Sequence, residues 1–522
     1  MADHRKLKLC AVTGCFSFGF GCIILGGVGL LVLPAIIDRQ VKSLIPLKPG
    51  GTTEKTWQKP PLKISMQFYV FNLTNAPDII AGKPVKPRVV QSGPYGYTET
   101  QHKYNLQFAR DSSWIQYLNY KQYVFNPALS CHGCKESDLF TVPNVPLLGI
   151  AQLVSSLRAF NNPIVKPVIK QIVRVIESSG EHPFVTKPVG DLIFKGYDDK
   201  ILDIANNPTL KRIAKILNLP LPSFPKRVGF FYGQNATNDK VYKIHSGTVN
   251  VADVGKIITW NGASDLPTSW WRTSQARMIN GTDGTLFPPF ITKSSQLNIF
   301  ISTICRSGFG LYQQDVSHYG VPGYRFTIPP KMFDVTLPAN EGFCTNSPQV
   351  SNHTFYKNQS VPGCIATGLL DISTCQQGNP PVVISSPHFL YAAPEVIASI
   401  DGVHPIPEEH ESVIDVEPTS GLGLLFHRRL QANIALVNHD LPQFDKIKNV
   451  VLPVMWLNET ASLDSKTQEL VRSQLVTLPK IARILCYCLL GFGGLDTISM
   501  ALLYFLALRG GRRSAKGKAK ST

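Results

Sequence analysis

Leu62-Lys-Ile-Ser-Met-Gln-Phe-Tyr-Val70 alternates strictly, with Leu62, Ile64, Met66, Phe68 and Val70 apolar and Lys63, Ser65, Gln67 and Tyr69 between them. A period of two places the five apolar side chains on one face of a strand. One buried face needs a sheet around it, and further strand signals supply one. Tyr324, Phe326 and Ile328 alternate with Arg325 and Thr327, and Val382–Ile384, Ile434–Val437 and Val450–Trp456 are short apolar runs with β-branched residues. The 40 Gly and 39 Pro of the 522 residues punctuate these runs as a many-stranded protein requires. An AVILMFWYC content of 43% excludes a disordered chain. No long linker or low-complexity stretch divides residues 38–483, so this region reads as one mainly β unit.

One segment, residues 146–217, has another period. Val165, Val168, Ile169, Ile172 and Ile176 recur at three- and four-residue spacing and share one helix face. Lys166, Lys170 and Arg174 recur every four residues on another face. Pro167 suits a first helical turn, so this helix is expected to start near Asn162 or Lys166. Leu210, Ile213 and Ile216 repeat the design, accompanied by Lys211, Arg212 and Lys215. Two or three short helices capping the sheet core are predicted. Two readings of the basic stripes stand: ordinary solvated faces, or an anion-selecting surface that tolerates like charges at four-residue spacing.

Outward from this region lie two apolar ends. Leu9–Ile37 contains no charged side chain, and Ile484–Leu508 contains one, Asp496. About 20 apolar residues cross the ~30 Å of bilayer hydrocarbon. A cleaved signal peptide has an apolar core of about 7–15 residues ending at a small-x-small site. The first stretch is longer and runs through Leu30-Leu-Val-Leu33 into Pro34, so it reads as an uncleaved anchor. Arg5, Lys6 and Lys8 precede it, and Arg509, Arg512, Arg513, Lys516, Lys518 and Lys520 follow the second stretch. Basic flanks stay cytoplasmic, which puts both termini inside. The expected layout is a tail at 1–8, spans at 9–37 and 484–508, an extracellular or luminal domain at 38–483, and a basic tail at 509–522. Asp496 is costly at mid-membrane, and reads either as a helix–helix contact or as a protonated carboxyl helped by Thr497 or Ser499.

Nine of the 52 basic and two of the 35 acidic residues lie in 1–8 or 484–522, so the central region carries a formal +10. That bias favours anionic partners. Nucleic acid is excluded by the compartment and by the absence of a recognition-helix or zinc-finger signal. Sequons stand at Asn72, Asn235, Asn280, Asn352, Asn358 and Asn458, all between the spans, as a glycosylated domain requires. The same region holds six of the 11 cysteines: Cys131, Cys134, Cys305, Cys344, Cys364 and Cys375. An even number in an oxidising compartment argues for pairing, with connectivity left open. Cys131-His-Gly-Cys134 has three readings: a local disulfide, separate thiols, or a metal or redox fragment.

Enzymatic signatures are missing: no G-x-S-x-G elbow, P-loop, Rossmann fingerprint or H-E-x-x-H occurs. His404, Glu408, Glu409, His410 and Glu411 are the densest group of potential ligands. Pro405 and Pro407 among them favour a solvated loop over a metal or catalytic site. Neither enzyme activity, cofactor nor metal is expected.

Eight motifs stand out: Gln67-Phe-Tyr-Val-Phe-Asn-Leu-Thr-Asn75, Gly93-Pro-Tyr-Gly-Tyr97, Gly196-Tyr-Asp198, Met278-Ile-Asn-Gly-Thr-Asp283, Phe287-Pro-Pro-Phe290, Ile304-Cys-Arg-Ser307, Ser386-Pro-His-Phe389 and Pro453-Val-Met-Trp-Leu-Asn-Glu-Thr460. In these the sequence resembles the class B scavenger receptors, a family that includes a fatty acid translocase, a high-density-lipoprotein receptor and a lysosomal integral membrane glycoprotein. These motifs span nearly the whole chain. The resemblance implies a mainly β fold with α: a large antiparallel β-barrel with a three-helix cap, anchored by two transmembrane helices. It further implies an apolar tunnel for fatty acids or sterols, and a cap that receives lipoproteins, phospholipid ligands or a soluble protein. Lys166, Lys170, Arg174, Lys211, Arg212 and Lys215 are the corresponding cap residues. The resemblance pairs Cys305 with Cys375 and Cys344 with Cys364. A third bridge of some members would fall at Ala276 and Gly342 and is absent, as in the lysosomal member. The tail lacks that member's acidic-dileucine signal, so a plasma-membrane receptor is expected, with a lysosomal or endosomal transport receptor as the alternative. Self-association stays open.

Overall fold

The computed structural model describes residues 2–159, 163, 165–216, 223–345, 363–438 and 441–518. The chain forms two compact units, one of Ile45–Val316 and Pro322–Asp464, the other of Met1–Leu44, Ser317–Val321 and Ser465–Thr522.

The larger unit is organised by a 13-stranded antiparallel sheet. Its central strands are β1 (Leu62–Leu73), β2 (Val89–Phe108) and β3 (Trp114–Phe125). After the short pair β4 (Leu139–Pro143) and β5 (Phe184–Pro188) come β6 (Thr237–His245), β7 (Ile257–Trp260), β8 (Gln296–Ile301), β9 (Arg306–His318) and β10 (Val321–Thr327). The C-terminal half adds β11 (Leu369–Asp371), β12 (Val382–Ser385), β13 (Val413–Val416), β14 (Gly423–Leu436) and β15 (Val450–Leu463). The hydrogen-bonded path runs β7-β6-β3-β2-β1-β15-β14-β13-β10-β9-β8, with β12 on β14 and β11 on β12. No ladder joins β7 to β8 among the described residues, so the sheet is large and antiparallel but not closed by strand pairing.

The alternation at 62–70 is seen in the burial of β1. Ile64, Met66, Phe68 and Val70 are buried, and Lys63 is exposed. Enclosing a side chain such as Phe68 or Met66 contributes roughly 1.5–3 kcal/mol. β1 lies between β15 (Leu62 opposite Leu463) and β2 (Ile64 opposite Glu99). Its opposite face is not simply wet: Tyr69 stacks on Trp456 at 4.0 Å, and Phe71 is buried against the His388 ring.

Helices at Val145–Ala159, Val165–Ser178, Lys200–Ala205 and Pro208–Ile216 occupy the segment of changed period. Among the described residues there are four rather than two or three, and β5 with a π turn at Asp191–Lys195 separates the first two from the last two. Asn144 starts the first helix by accepting from Leu147 N–H at 3.2 Å, and Asp199 starts the third by accepting from Ile201 N–H at 2.9 Å. The first helix buries Leu147, Leu148, Ile150, Ala151, Val154 and Leu157, and belongs to the core. The second is two-sided, with Ile169 and Ile176 buried and Ile172 half-buried.

In the smaller unit, helices Ala2–Leu44 and Leu478–Lys518 contain or overlap two segments long and apolar enough to cross a membrane, Gly14–Leu44 and Ser465–Leu506. They pack through small residues. A Cβ on Gly493 would sit 2.5 Å from the Gly19 carbonyl, and one on Gly19 would sit 2.5 Å from Asp496 Oδ2. Of the two readings of Asp496, the structure shows the contact with the first helix. Its Oδ2 and Thr497 Oγ1 have no hydrogen-bond partner there.

Candidate ligand cavity and basic helices

A cavity of about 340 Å³ lies in the larger unit between the buried sheet face and the first helix of the helical segment. Phe68, Met455, Leu457, Leu430 and Ala432 come from β1, β15 and β14, and Val145, Pro146 and Gly149 from the helix. Phe230, Phe231 and Leu202 close another side. Phe68 meets the rings of Phe194 and Phe231 edge-on at 5.8 and 5.3 Å. Sites for small lipophilic ligands have about this size and composition. The polar lining is sparse and includes Arg227, Arg428, Gln376 and Gln431.

Arg428 belongs to a charged group embedded in the sheet. It pairs with Glu459 across β14 and β15, and Lys121 of β3 reaches Glu99 of β2 at 3.3 Å. Burial pushes the Glu99 carboxyl up, against the pull of Lys121. Burial would also raise Glu459, but Arg428 and Lys121 beside it hold it below the usual range. Two cations thus face two carboxylates. A further cation, Lys103, is fully buried at 1% exposed and lies 4.8 Å from the Trp57 ring centre. Burial lowers its ammonium, while the attraction of Asp283, which accepts from Tyr117 Oη–H at 2.7 Å, opposes the shift.

The solvated loop expected at 404–411 is corrected at one position. His410 is 3% exposed and stacks on buried His388, with ring centres 4.4 Å apart. His404 N–H donates to His388 Nδ1 at 3.0 Å, so the ring proton is on Nε2 and is directed at Gln91 Oε1, 2.7 Å away. Ile406 N–H donates to His410 Nδ1 at 2.9 Å. Burial, with the neighbouring His410 and His404, lowers His388 to about 3; burial and Arg429 lower His410 to about 4. Both rings are neutral and structural. Proline spacing could not show that β14 and β15 cover this turn.

The six basic residues singled out on the helices are exposed: Lys166, Lys170 and Arg174 on one helix, Lys211, Arg212 and Lys215 on another. Lys211 Nζ donates to Asn206 Oδ1 at 2.9 Å, and none of the six is in an ion pair among the described residues. They do not line the cavity. Disulfides join Cys305 to Cys375, Cys344 to Cys364 and Cys131 to Cys134. Asn280 and Asn235 are exposed, and Asn235 also bonds both backbone groups of Tyr123, at 2.8 and 3.0 Å. Asn72 and Asn458 are half-buried; Asn352 and Asn358 lie outside the described residues.

Sequence reasoning missed the group of Glu99, Lys121, Arg428 and Glu459. No local pattern marked it: strand pairing sets Glu459 opposite Met66 and Glu99 opposite Ile64, and that register is not visible in the sequence.

Taken together, these features define a membrane protein with two apolar helices and a large antiparallel sheet domain that holds a mainly apolar cavity. The CD36 family model matches residues 17–504, and the chain belongs to that family. It is 32% identical over 456 residues to human Lysosome membrane protein 2, covering 87% of this chain and 86% of that one. To Scavenger receptor class B member 1 of Bos taurus it is 29% identical over 494 residues, covering 94% and 88%. To that of Cricetulus griseus it is 30% identical over 499 residues, covering 95% and 89%. As a member of this family the chain is not an enzyme.

Proposed function

We propose that this protein is a cell-surface receptor of the scavenger type. It takes lipoproteins or anionic lipid ligands at its basic helices and passes fatty acids or sterols through the sheet domain to the membrane. The observation that carries the reading is the cavity of about 340 Å³ lined by Phe68, Met455, Leu457 and Phe231, in a unit whose helices present six exposed cations. An apolar cavity retains a lipid through buried area, whereas exposed cations act on approach. The proposal includes a sheet that closes as a barrel around a continuous tunnel, a helical cap within 146–217, both termini in the cytoplasm, and glycans on residues 38–483. Mass spectrometry of lipids carried through purification of the glycosylated protein is the direct test. Recovery of fatty acid, sterol or phospholipid is expected, and should fall when Phe68→Arg places a charge in the cavity. Lipid-free protein with an intact fold would overturn the conduit.

The relative named Lysosome membrane protein 2 supports a second reading, a lysosomal or endosomal receptor that exports lipid or transports a soluble hydrolase. Here residence decides. Full-length protein found in acidic vesicles, with a soluble protein bound at the helices, would favour it.

A further inference from the structure

Cys131 and Cys134 are joined across only His132 and Gly133, between β3 and β4. Both cysteines are half-buried, with Cys134 packed partly against the hydrophobic core, and His132 and Gly133 between them are exposed. The other bridges are less accessible and close longer loops: Cys305, Cys344 and Cys364 are at most 3% exposed, Cys375 is half-buried, and the two bridges span 70 and 20 positions. A link across three positions removes far less chain entropy than one across 70.

The neighbouring fold is held without this bridge. Cys131 N–H donates to the Pro94 carbonyl at 2.8 Å, and Gly96 N–H to Ser130 Oγ at 2.9 Å. Tyr95 and Tyr97 hydroxyls donate to Asp138 and Glu136, each at 3.0 Å. Glu136 also holds Lys195 at 2.8 Å, and the carbonyls of Glu136 and Asp138 accept from Gly190 and Val189 N–H. A bridge that staples little, on an accessible turn pinned by other bonds, has the properties of a reactive disulfide.

We propose that Cys131–Cys134 is a thiol–disulfide exchange site for an extracytoplasmic dithiol, independent of lipid binding. One thiolate of the dithiol attacks one sulfur of the pair, the Cys131–Cys134 bond breaks, and a mixed disulfide forms. The displaced sulfur leaves as a thiolate and takes a proton from water. The second thiol of the dithiol, having lost its proton to water, then attacks the mixed disulfide and releases the other cysteine. The dithiol ends as its disulfide, and the pair has gained two electrons and two protons. Lys135, directly after Cys134, places a cation next in sequence to the departing thiolate. The two sulfurs are bonded to each other and neither is a thiolate free to ligate a metal, so the site is read as redox.

The test uses the full-length glycosylated protein in detergent, titrated with dithiothreitol, alkylated and mapped by mass spectrometry. Cys131 and Cys134 should become labelled at roughly tenfold or more lower dithiothreitol than Cys305, Cys375, Cys344 and Cys364, while the protein remains folded. The Cys131→Ser/Cys134→Ser variant should fold and retain lipid like the parent. Labelling only together with the buried bridges, or only on unfolding, would overturn the proposal. So would a variant that fails to fold, because the bridge would then be a staple.

Discussion

The sheet face around Arg428 and the helix Val165–Ser178 both carry closely spaced charge, and they treat it in opposite ways. In the sheet, Glu99 is buried, Lys121, Arg428 and Glu459 are largely withdrawn from water, and each cation has a carboxylate. On the helix, Lys166, Lys170 and Arg174 repeat one sign, stay exposed and have no ion pair among the described residues. Buried charge must be neutralised nearby or it destabilises the fold. Exposed charge is under no such demand, so its pattern is free to serve recognition.

The largest expected effect comes from breaking the buried side of this contrast. Arg428→Met takes away the ion-pair partner of Glu459, leaving only Lys121 to attract it, and should cost up to about 3–5 kcal/mol, whereas Arg428→Met with Glu459→Met should recover most of the loss. Denaturant midpoints of the purified glycoprotein measure both. Equal losses in the single and double variants would show that the side chains matter for volume alone.

Next come the bridges. Replacing Cys305 and Cys375 with serine removes a link across 70 positions and should cost about 4 kcal/mol, visible as loss of surface expression. Removing Cys131–Cys134 should cost about half that or less.

Each buried histidine gives a smaller, pH-dependent effect, about 2 kcal/mol per ring between pH 7 and pH 5. Their folded values, about 3 for His388 and about 4 for His410, lie below the ordinary 6.5. The unfolded chain therefore takes up protons first as pH falls, and stability present above about pH 6.5 is lost toward pH 4. Each ring should weaken the fold by about 1.4 kcal/mol per pH unit within that window. Thermal unfolding between pH 7 and pH 5 checks this, and His410→Phe should flatten the profile. An unchanged slope would mean that the ring does not titrate between the folded and unfolded states.

The smallest effect on stability is expected at the helix surface. Reversing Lys166, Lys170 and Arg174 to Glu should change stability by less than about 0.5 kcal/mol. Association with anionic lipid particles should slow about tenfold at low salt, with the difference shrinking as salt is raised beyond physiological ionic strength. Rates equal to wild type at low salt would reduce the stripe to a solvated face.

Local periodicity determined much of this protein in advance. The alternation at 62–70 specified the buried face of β1, and the three- and four-residue spacing at 165–176 specified a two-sided helix, because both patterns depend on neighbours in sequence. Apolar length alone marked both membrane-length helices. Tertiary structure decided what depends on partners far apart in the chain. It set Arg428 against Glu459, stacked His388 on His410, laid Asp496 against Gly19, and shaped the cavity between β1, β14, β15 and the helix at Val145–Ala159. A charge reads the same in sequence whether it faces water or a buried carboxylate. Only the register of paired strands brings Glu99 and Lys121 to one face, and no local pattern encodes that register.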